Sequence, residues 1–390
     1  MSGPRLQIVA LIDALGWEYV RNREFLNDVL PYRTPLQTVL GFSSGAIPTI
    51  LTGVMPERHG HWNLFYYDPK GAPFRWLKLF NWLPNQVLDN RYGRKVMKEL
   101  GRRVMGLGQN FECCVAPQLL PYFNFSERRD IYAPKGIENM PSLFDELEEE
   151  GRGYRVYSYH QCSDAEILRR AKHDVQATDA SFFFLYLCEV DAFLHMNCKD
   201  PEAINRKLKW YDEQLREVFH VARERDPEAW LVVTSDHGMT PVTDHTDLVA
   251  EVAKLGLRMP QDYLVVYDST MARFWFFNES AREKVTTLMQ SLTTGQVLTK
   301  EEMQCFGLNF SDDRYGELIF LLDPGWMLAK SDFNGRGWFP SGMHGYHPND
   351  SYSDAIFLSN ETPLRTMRTI ADVYYTIRDA GHQAKEKVAL

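Results

Sequence analysis

Acidic and imidazole side chains follow short hydrophobic stretches at several separate places in the chain. The segment "LQIVALID" ends in an aspartate, "CEVDAFLH" carries an aspartate and a histidine four residues apart, "SDHGM" carries an adjacent pair, and "GMHGYHP" adds two histidines. These residues are Asp13, Asp191, His195, Asp236, His237, His344 and His347. Carboxylate oxygens and imidazole nitrogens are ligands for zinc and similar divalent ions. A single such residue is more often a helix cap or a structural residue, but six ligands among these seven residues suggest two ions rather than one.

Hydrophobic runs alternate with amphipathic stretches, and this alternation predicts the elements that hold those side chains. The apolar runs are nearly continuous, which is typical of strands covered on both faces. The predicted strands are residues 6–13, 154–159, 181–187 and 229–236, and the predicted helices include residues 140–151 and 201–224. We therefore expect an α/β fold with a doubly wound, mostly parallel central sheet flanked by helices. In such sheets, ligands bind beyond the carboxyl ends of the strands.

The bulk composition limits the class of protein. The chain has 390 residues, of which 44% are hydrophobic, enough for a sizeable core in one or two domains. A net charge of −9 argues against non-specific nucleic-acid binding over the whole surface. The longest apolar runs fall short of the roughly 20 residues that span a bilayer, and the N-terminus lacks a signal-peptide pattern. Six cysteines without C-x-x-C spacing indicate reduced thiols, so we expect a cytoplasmic protein.

Residues 40–63, "LGFSSGAIPTILTGVMPERHGHWN", place small hydroxyl residues at the head of a predicted buried helix. The N-terminus of a helix presents free N–H groups and a partial positive charge, so an anion such as phosphate is favoured there. A bare serine hydroxyl is a weak nucleophile at neutral pH, and the chain shows no Ser-His-Asp spacing. Coordination to a metal ion is the alternative way to activate such a serine.

In this order, the segments resemble the alkaline phosphatase superfamily, and most closely its nucleotide pyrophosphatase/phosphodiesterase branch. The resemblance rests on Asp13 at the end of the first strand and on "EVDAFLH", where the branch has E-P-D-x-x-G-H. It rests further on "SDHGM" and on "HGYHP", where the branch has H-G-Y-D-N. Softer similarities are "PSLFDELEEEG" followed by "YRVYSY", and "GELIFLLDPGW" before the last histidines. The resemblance covers most of the chain outside residues 70–139.

The resemblance implies two metal sites and assigns their ligands. The two sets are Asp191, His195 and His344, and Asp13, Asp236 and His237. We expect two divalent ions, with zinc favoured because imidazole ligands suit it. His347 falls outside both sets, because the family has an aspartate at that position. It is expected to be structural or to reach the substrate.

The resemblance also points to a nucleophile. In the superfamily the nucleophile precedes the Thr of a T-G pair by a fixed interval, and nine positions before Thr52 lies Ser43. Ser44 is the rival and could instead cap the helix. The phosphodiesterase branch usually has Thr as nucleophile, whereas Ser is typical of the phosphomonoesterases. Ser43 is followed by "SGAI", which lacks the C/S-x-P/A-x-R pattern that formylglycine formation in sulfatases needs.

A phosphate-binding asparagine follows the helix in this branch. An alignment without a gap puts Leu64 at its position, with Asn63 one residue early. Asn63 and the backbone amide of Ser44 are therefore the predicted phosphate-binding groups.

Residues 70–139 form a predicted insert between residues 1–69 and 140–390 of the catalytic domain. Residues 73–108 carry eight basic and two acidic side chains in a chain that is acidic overall. The insert has three interpretations: a solvated helical hairpin packed on the core, a cap that grips the substrate, or a basic amphipathic face that contacts an anionic membrane surface.

The implied function is the hydrolysis of phosphodiester or pyrophosphate bonds by two metal ions, about 4 Å apart, through a covalent phosphoserine intermediate. The expected substrate is an anionic phosphate ester: a nucleotide, a nucleotide sugar or a lipid-linked phosphodiester. A diester is favoured over a monoester because "FSSGAIPTILTG" contains no cation, and the nearest are Arg33 and Arg58. The alternatives are a phosphotransferase or phosphomonoesterase of the same superfamily and, with less support, an inactive binding protein on this fold.

Overall fold

The computed structural model describes residues 4–80, 88–107, 115–158, 162–332 and 338–389, without the side chains of Phe80 and residues 382–389. Its strands are β1 (Gln7–Ile12), β2 (Tyr32–Leu36), β3 (Phe65–Tyr67), β4 (Phe123–Phe125), β5 (Tyr154–Tyr157), β6 (Phe182–Leu187), β7 (Trp230–Thr234), β8 (Thr240–Pro241), β9 (Asp244–Thr246), β10 (Tyr263–Tyr267), β11 (Met271–Phe276), β12 (Gly295–Val297), β13 (Leu318–Leu322), β14 (Trp326–Leu328), β15 (Gly342–Met343) and β16 (Ala355–Ser359).

The α-helices are α1 (Trp17–Val20), α2 (Ser43–Thr52), α3 (Pro56–His59), α4 (Arg91–Val104), α5 (Leu143–Glu149), α6 (Asp164–Ala177), α7 (Glu189–Asn197), α8 (Pro201–Arg225), α9 (Leu248–Ala253), α10 (Glu279–Ser291), α11 (Lys300–Cys305) and α12 (Ala371–Ala389). Short 3-10 helices span Arg75–Phe80, Leu120–Tyr122 and Ser351–Ser353.

Six strands form the central sheet, in the order β2-β16-β7-β1-β6-β5. The neighbours β7, β1, β6 and β5 are parallel, with Val9 of β1 opposite Phe184 of β6 and Val232 of β7. Strand β16 runs antiparallel to both β7 and β2. The fold class predicted from the sequence, an α/β fold with a mostly parallel central sheet flanked by helices, is confirmed.

Helices cover both faces of the central sheet. Successive residues of a strand point to opposite faces, so Ile8 and Ala10 pack with α6 and α8, whereas Val9 and Leu11 pack with α2, α5 and α12. All residues of β1 and β6 are buried. This burial on both faces explains why the sequence of these strands is continuously apolar.

A second sheet of four antiparallel strands has the order β10-β11-β13-β12. One side packs on α9 and α10, and the other shares an apolar cluster with the insert, in which Leu264 and Trp275 join Phe74 and Phe123. These strands were not predicted from the sequence. Strands β10, β11 and β13 are buried throughout, so their sequences are apolar runs of the same kind as those of β1 and β6.

The predicted elements of the central layer agree with the observed ones apart from their ends. The strand predicted at 229–236 is β7, and the helix predicted at 140–151 is α5. Helix α5 starts later than predicted because Ser142 and Asp145 form a capping box. Helix α8 begins at Pro201 as predicted, with the Asp200 side chain as its N-cap. Residues 159–161, which include the end of the strand predicted at 154–159, lie outside the described residues.

The described part of the insert is attached to the second sheet by apolar contacts. Phe74, Leu77 and Met97 are buried in the cluster that contains Trp275. This packing agrees with the interpretation that apolar side chains hold the insert on the fold. The boundaries at residues 70 and 139 remain a prediction.

Among the described residues, no helix is long and apolar enough to cross a membrane. Cys162, Cys188, Cys198 and Cys305 are free thiols. Cys113 and Cys114 lie outside the described residues. The cytoplasmic location inferred from cysteine usage remains a prediction.

Candidate active site

A first cluster of possible metal ligands lies at the carboxyl ends of β1 and β7. Asp13 directly follows β1, and its N–H donates to the carbonyl oxygen of Leu187 at 2.9 Å. Asp236 Oδ1 accepts from the N–H groups of Ala14 and His237, at 3.2 and 3.1 Å. His237 Nε2 lies 3.6 Å from Asp13 Oδ1 and 3.3 Å from Asp236 Oδ2. All three side chains of this cluster are buried.

A second cluster combines α7 with the residue after β15. Asp191 and His195 lie one turn apart on the same face of α7, which begins directly after β6. Asp191 Oδ1 is 3.3 Å from His195 Nε2 and 3.5 Å from His344 Nε2. The His344 ring stacks on His237 of the first cluster, with ring centroids 3.9 Å apart. The two clusters are therefore contiguous.

The structure brings the six predicted ligands together in the two predicted sets. Within each set, one ligand atom per residue lies within 4.8 Å of the other two. The strand order explains the convergence, since β7, β1 and β6 are neighbours and their carboxyl ends share one edge of the sheet. Histidine 344 reaches this edge because β15 pairs with β8, which follows His237 in the chain.

The carboxylates of these clusters have the free atoms that metal ions require. The oxygens Asp13 Oδ1, Asp191 Oδ1 and Asp236 Oδ2 are buried and accept no hydrogen bond in good geometry from the described residues. Two ligand atoms that each lie about 2.0 to 2.1 Å from a tetrahedral ion are about 3.3 Å apart. The separations observed in the two clusters, 3.3 to 3.6 Å, are close to that spacing. The donor set therefore fits divalent ions.

Two of the histidines are held in the tautomer that a metal ion needs. His195 Nδ1 lies 2.9 Å from the Gly342 carbonyl oxygen, and His237 Nδ1 lies 2.9 Å from that of Gly238. Because a carbonyl oxygen can only accept, Nδ1 carries the proton in both rings. In the neutral form of each ring, Nε2 then has a free lone pair that faces the carboxylates.

Burial and the neighbouring charges shift the pKa values of several side chains at this site. Burial, together with the negative charges of Asp236 and Asp191, raises the pKa of Asp13 well above its usual value. Burial also opposes the ionisation of Asp191, but its interactions with His195 and His344 outweigh burial and hold its pKa well below the usual value. Burial and then His237 lower the pKa of His344 well below its usual value. Bound cations would stabilise the crowded carboxylates in their ionised form.

Ser43 lies beside the first cluster. It is the first residue of α2, whose N-cap is Phe42 and whose N-terminus receives no side-chain cap. Ser43 Oγ is 3.0 Å from His237 Nε2. The hydroxyl therefore lies both at the positive end of a helix and beside a predicted metal ligand.

Ser44 contacts Trp62, the residue that directly precedes Asn63. The hydroxyl of Ser44 donates to the Trp62 carbonyl oxygen at 3.2 Å, and the N-terminus of α2 receives no side-chain cap, so this hydroxyl does not cap the helix. Asn63 is the next residue after Trp62. Its side-chain nitrogen and oxygen are buried and have no hydrogen-bond partner among the described residues. This amide without a partner, in the residue that follows the one contacted by Ser44, has the donor that a phosphate oxygen would need.

His347 lies outside the two clusters. Its Nδ1 accepts from the Asn349 N–H at 3.1 Å, and its ring packs edge-on against Phe306 with centroids 5.1 Å apart. These contacts agree with the structural alternative for His347, which stays a prediction.

The basic residues nearest to Ser43 in sequence are directed elsewhere. Arg33 donates to two backbone carbonyl oxygens, at 2.7 and 3.2 Å. Arg58 is exposed at the end of α3. Within the described residues, no lysine or arginine forms an ion pair with the aspartates of the two clusters.

Two further residues, which were not predicted from the sequence, hold the ligands in place. The hydroxyl of Tyr186 donates to Asp13 Oδ2. Asp164 accepts from the N–H groups of Cys188 and Glu189, at 3.1 and 3.0 Å. Helix α7 has no side-chain cap at its own N-cap residue, so Asp164 caps it from α6. The single hydroxyl in the apolar run "FFFLYL" could have identified Tyr186 as a residue that hydrogen-bonds inside the protein. No local sequence pattern marks a helix cap that another helix supplies.

The fold and the paired clusters place the protein in the class of alkaline phosphatase-like metal hydrolases. The model of the family described as type I phosphodiesterase / nucleotide pyrophosphatase matches residues 8–347. The chain therefore belongs to that family, and the family predicted from the motifs is confirmed. This is a family of metal-dependent, phosphodiesterase-like hydrolases.

Solved structures of this family share the fold. Human ectonucleotide pyrophosphatase / phosphodiesterase 5 superposes with a TM-score of 0.68 at 15% sequence identity, covering 97% of this chain and 95% of that chain. The murine protein gives a TM-score of 0.67 at 17% identity, with the same coverage. Its inactive variant in complex with AMP gives 0.67 at 18% identity. At these identities the likeness shows the fold alone.

Curated relatives match only part of the chain. Phosphopentomutase of Dictyoglomus turgidum is 27% identical over 144 residues, which is 37% of this chain and 33% of that protein. Phosphopentomutase of Dictyoglomus thermophilum is 27% identical over 125 residues, 32% of this chain and 29% of that protein. The chain thus spans about a third of the length of these relatives.

Proposed function

We propose that the protein hydrolyses phosphodiester or pyrophosphate bonds through a covalent intermediate on Ser43. The observation that carries this proposal is the 3.0 Å distance between Ser43 Oγ and His237 Nε2. It puts a hydroxyl nucleophile at a helix N-terminus and beside a cluster suited to a divalent ion. The family match supports the reaction class.

In the first step Ser43 Oγ attacks phosphorus opposite the leaving oxygen. A bond between Oγ and phosphorus forms, the bond from phosphorus to the leaving group breaks, and the hydroxyl proton passes to solvent. In the second step a water oxygen attacks the same phosphorus, and Ser43 Oγ departs and regains a proton. The Ser44 N–H and the Asn63 amide donate to the non-bridging oxygens throughout.

The ligands of the two clusters would hold two divalent ions, which we propose to be zinc. Ions bound there supply Lewis-acid stabilisation of negatively charged oxygens and lower the pKa of water. The protein's own contribution is to fix the ligand tautomers through the backbone oxygens of Gly342 and Gly238. In addition, Tyr186 holds the Asp13 carboxylate in place, and Asp164 holds helix α7.

The proposed substrate is an anionic phosphate ester with a second substituent, such as a nucleotide, a nucleotide sugar or a lipid-linked phosphodiester. The absence of a cation paired with the clusters, within the described residues, supports a diester over a monoester. A dianionic monoester would need one more positive charge beside the phosphorus. The AMP complex of the murine structural neighbour supports a nucleotide as one candidate.

The test is to trap the intermediate. Acid quenching during turnover of a p-nitrophenyl diester, followed by peptide mass spectrometry, should find phosphorylated Ser43 in the wild-type protein. Ser43→Ala should show no modified peptide, and Ser44→Ala should keep the modification at Ser43. A fully active enzyme with no serine adduct under these conditions would favour direct attack by water instead.

A second candidate is a phosphotransferase, in which an alcohol takes the place of water in the second step. The partial similarity to two phosphopentomutases favours it. Incubation with a labelled phosphate ester and an excess of a sugar alcohol separates the two candidates. Label transferred to the alcohol indicates a transferase, and label released only as free product indicates a hydrolase.

A further inference from the structure

The outward side of helix α4 carries basic side chains next to exposed apolar ones. Arg91 and Lys95 lie one turn apart, and Arg102 lies two turns further along the same side. We call these three residues the basic row. Tyr92 and Val96 form a neighbouring apolar row, and they are 78% and 59% exposed.

The opposite side of α4 is attached to the fold. Met97 and Gly101 are buried, and Met97 joins the apolar cluster that contains Trp275 of the second sheet. Since the packing side of the helix is already covered, the two outward rows are not needed for attachment. Their apolar side chains face solvent in the structure.

Exposed apolar side chains concentrate in this part of the chain. In addition to Tyr92 and Val96, Leu79 is 75% and Val104 is 72% exposed. Single exposed apolar residues are ordinary. Among the described residues, however, four of the ten large apolar side chains that are exposed fall between residues 79 and 104. Such a concentration indicates a contact surface.

The charge of the same segment is strongly positive. Residues 70–107 carry nine basic and two acidic side chains, in a chain with a net charge of −9. The two acidic residues, Asp89 and Glu99, pair with Arg94 and Arg103 at 2.8 Å. The basic row forms no ion pair with any described residue. The outward side of α4 is therefore complementary to an anionic partner.

We propose that the basic and apolar rows of α4 dock on the surface of a bilayer rich in anionic phospholipid. The cationic side chains pair with headgroup phosphates, while the apolar ones enter the boundary of the acyl region. Nucleic acid would satisfy the charge but offers no apolar layer for the exposed side chains of Tyr92 and Val96. The docking is peripheral and does not depend on the hydrolytic chemistry.

The experiment measures binding of the full chain to vesicles by co-sedimentation. Vesicles of equal parts phosphatidylcholine and phosphatidylglycerol should bind the wild-type protein, and vesicles of phosphatidylcholine alone should bind it at least about tenfold more weakly. Arg91→Gln, Lys95→Gln and Arg102→Gln combined should weaken binding to the anionic vesicles by at least about tenfold. The matched control combines Arg206→Gln, Lys209→Gln and Lys284→Gln, exposed residues of α8 and α10, and should bind within about twofold of wild type.

A second variant tests the apolar contribution. Tyr92→Ser with Val96→Ser should bind the anionic vesicles at low salt but lose the binding that remains at high salt, because salt screens only the electrostatic part. Thermal melting and hydrolysis of a soluble p-nitrophenyl diester should be unchanged in every variant. Equal binding of the wild type to both vesicle types, or wild-type binding by the basic-row variant, would overturn the proposal. So would retention on duplex DNA without any vesicle binding.

Discussion

Ser43 Oγ lies 3.0 Å from Nε2 of His237, and the other nitrogen of that ring is 2.9 Å from the backbone oxygen of Gly238. The same Nε2 faces the carboxylates of Asp13 and Asp236, at 3.6 and 3.3 Å. In a Ser-His-Asp triad, the carboxylate holds the ring nitrogen opposite the serine. Here the carboxylates and the serine crowd one nitrogen. That arrangement fits a shared cation better than a proton relay.

The serine at this position should be essential. Ser43→Ala should lower kcat by at least about a thousandfold, because covalent catalysis is lost while the metal ligands remain. Metal content and melting temperature should match those of the wild type. Ser44→Ala is the control, since its hydroxyl donates to the Trp62 carbonyl oxygen and has no other hydrogen-bond partner in the described part of the chain. An inactive Ser44→Ala beside an active Ser43→Ala would show that the nucleophile is the second serine.

Removing the metal ions should abolish activity. Dialysis against a chelator should reduce turnover to background, and zinc should restore it better than magnesium because imidazole nitrogens bind zinc more strongly. Asp236→Asn should lose metal from the first cluster and keep it in the second, as measured by elemental analysis. Full activity in excess chelator after dialysis would contradict the two-metal mechanism.

The carboxylate that caps α7 from α6 should control metal affinity. Asp164→Asn places an amide donor against the N–H groups of Cys188 and Glu189 or the Tyr211 hydroxyl, which should displace α7 and its ligands. We expect metal binding to the second cluster to weaken by about 10- to 100-fold in competition with a chromophoric chelator.

Asp174→Asn is the matched control for this change. It lies on the same helix and also accepts from a tyrosine hydroxyl, that of Tyr157 at 2.6 Å, but it does not contact α7. Its metal affinity should equal that of the wild type. Equal weakening in both variants would show that a general loss of stability, rather than the cap, is responsible.

Diesters should be preferred over monoesters with the same leaving group. A monoester brings one more negative charge to the phosphorus, and Arg33 is occupied by two backbone carbonyl oxygens. The ratio of kcat/KM for a p-nitrophenyl diester and for p-nitrophenyl phosphate measures this preference. A higher value for the monoester would reassign the enzyme to the phosphomonoesterases.

Acid should destabilise the protein through buried neutral histidines. Burial lowers the pKa of His61 to about 4, below that of an unfolded histidine at about 6.5. The unfolded chain therefore binds more protons between these pH values, so the stability contribution present above pH 6.5 is lost as pH falls towards 4. The loss attributable to this residue is about 2 to 3 kcal/mol. The free energy of unfolding, measured with urea at pH 7 and pH 4.5, should depend less on pH for His61→Asn than for wild type. An equal change in free energy for both proteins would contradict this prediction.

The sequence by itself determined the fold class and the family, and it predicted the two groups of side chains that the structure brings together. The fold class was readable from the continuous apolar runs of buried strands such as β1 and β6, whereas the grouping of the side chains came from the resemblance of the motifs to the family. The start of α2 at Ser43 was also readable, since an apolar segment with hydroxyl residues at its head is a local pattern.

Only the tertiary structure decided how those pieces are joined. The second sheet, the cap that Asp164 provides for α7, the hydroxyl of Tyr186 on Asp13 and the contact of Ser44 with Trp62 all connect residues far apart in sequence. Residue types and spacing record what a segment can form with its own neighbours. They do not record which distant donor will meet a given acceptor, because that pairing depends on how the layers pack.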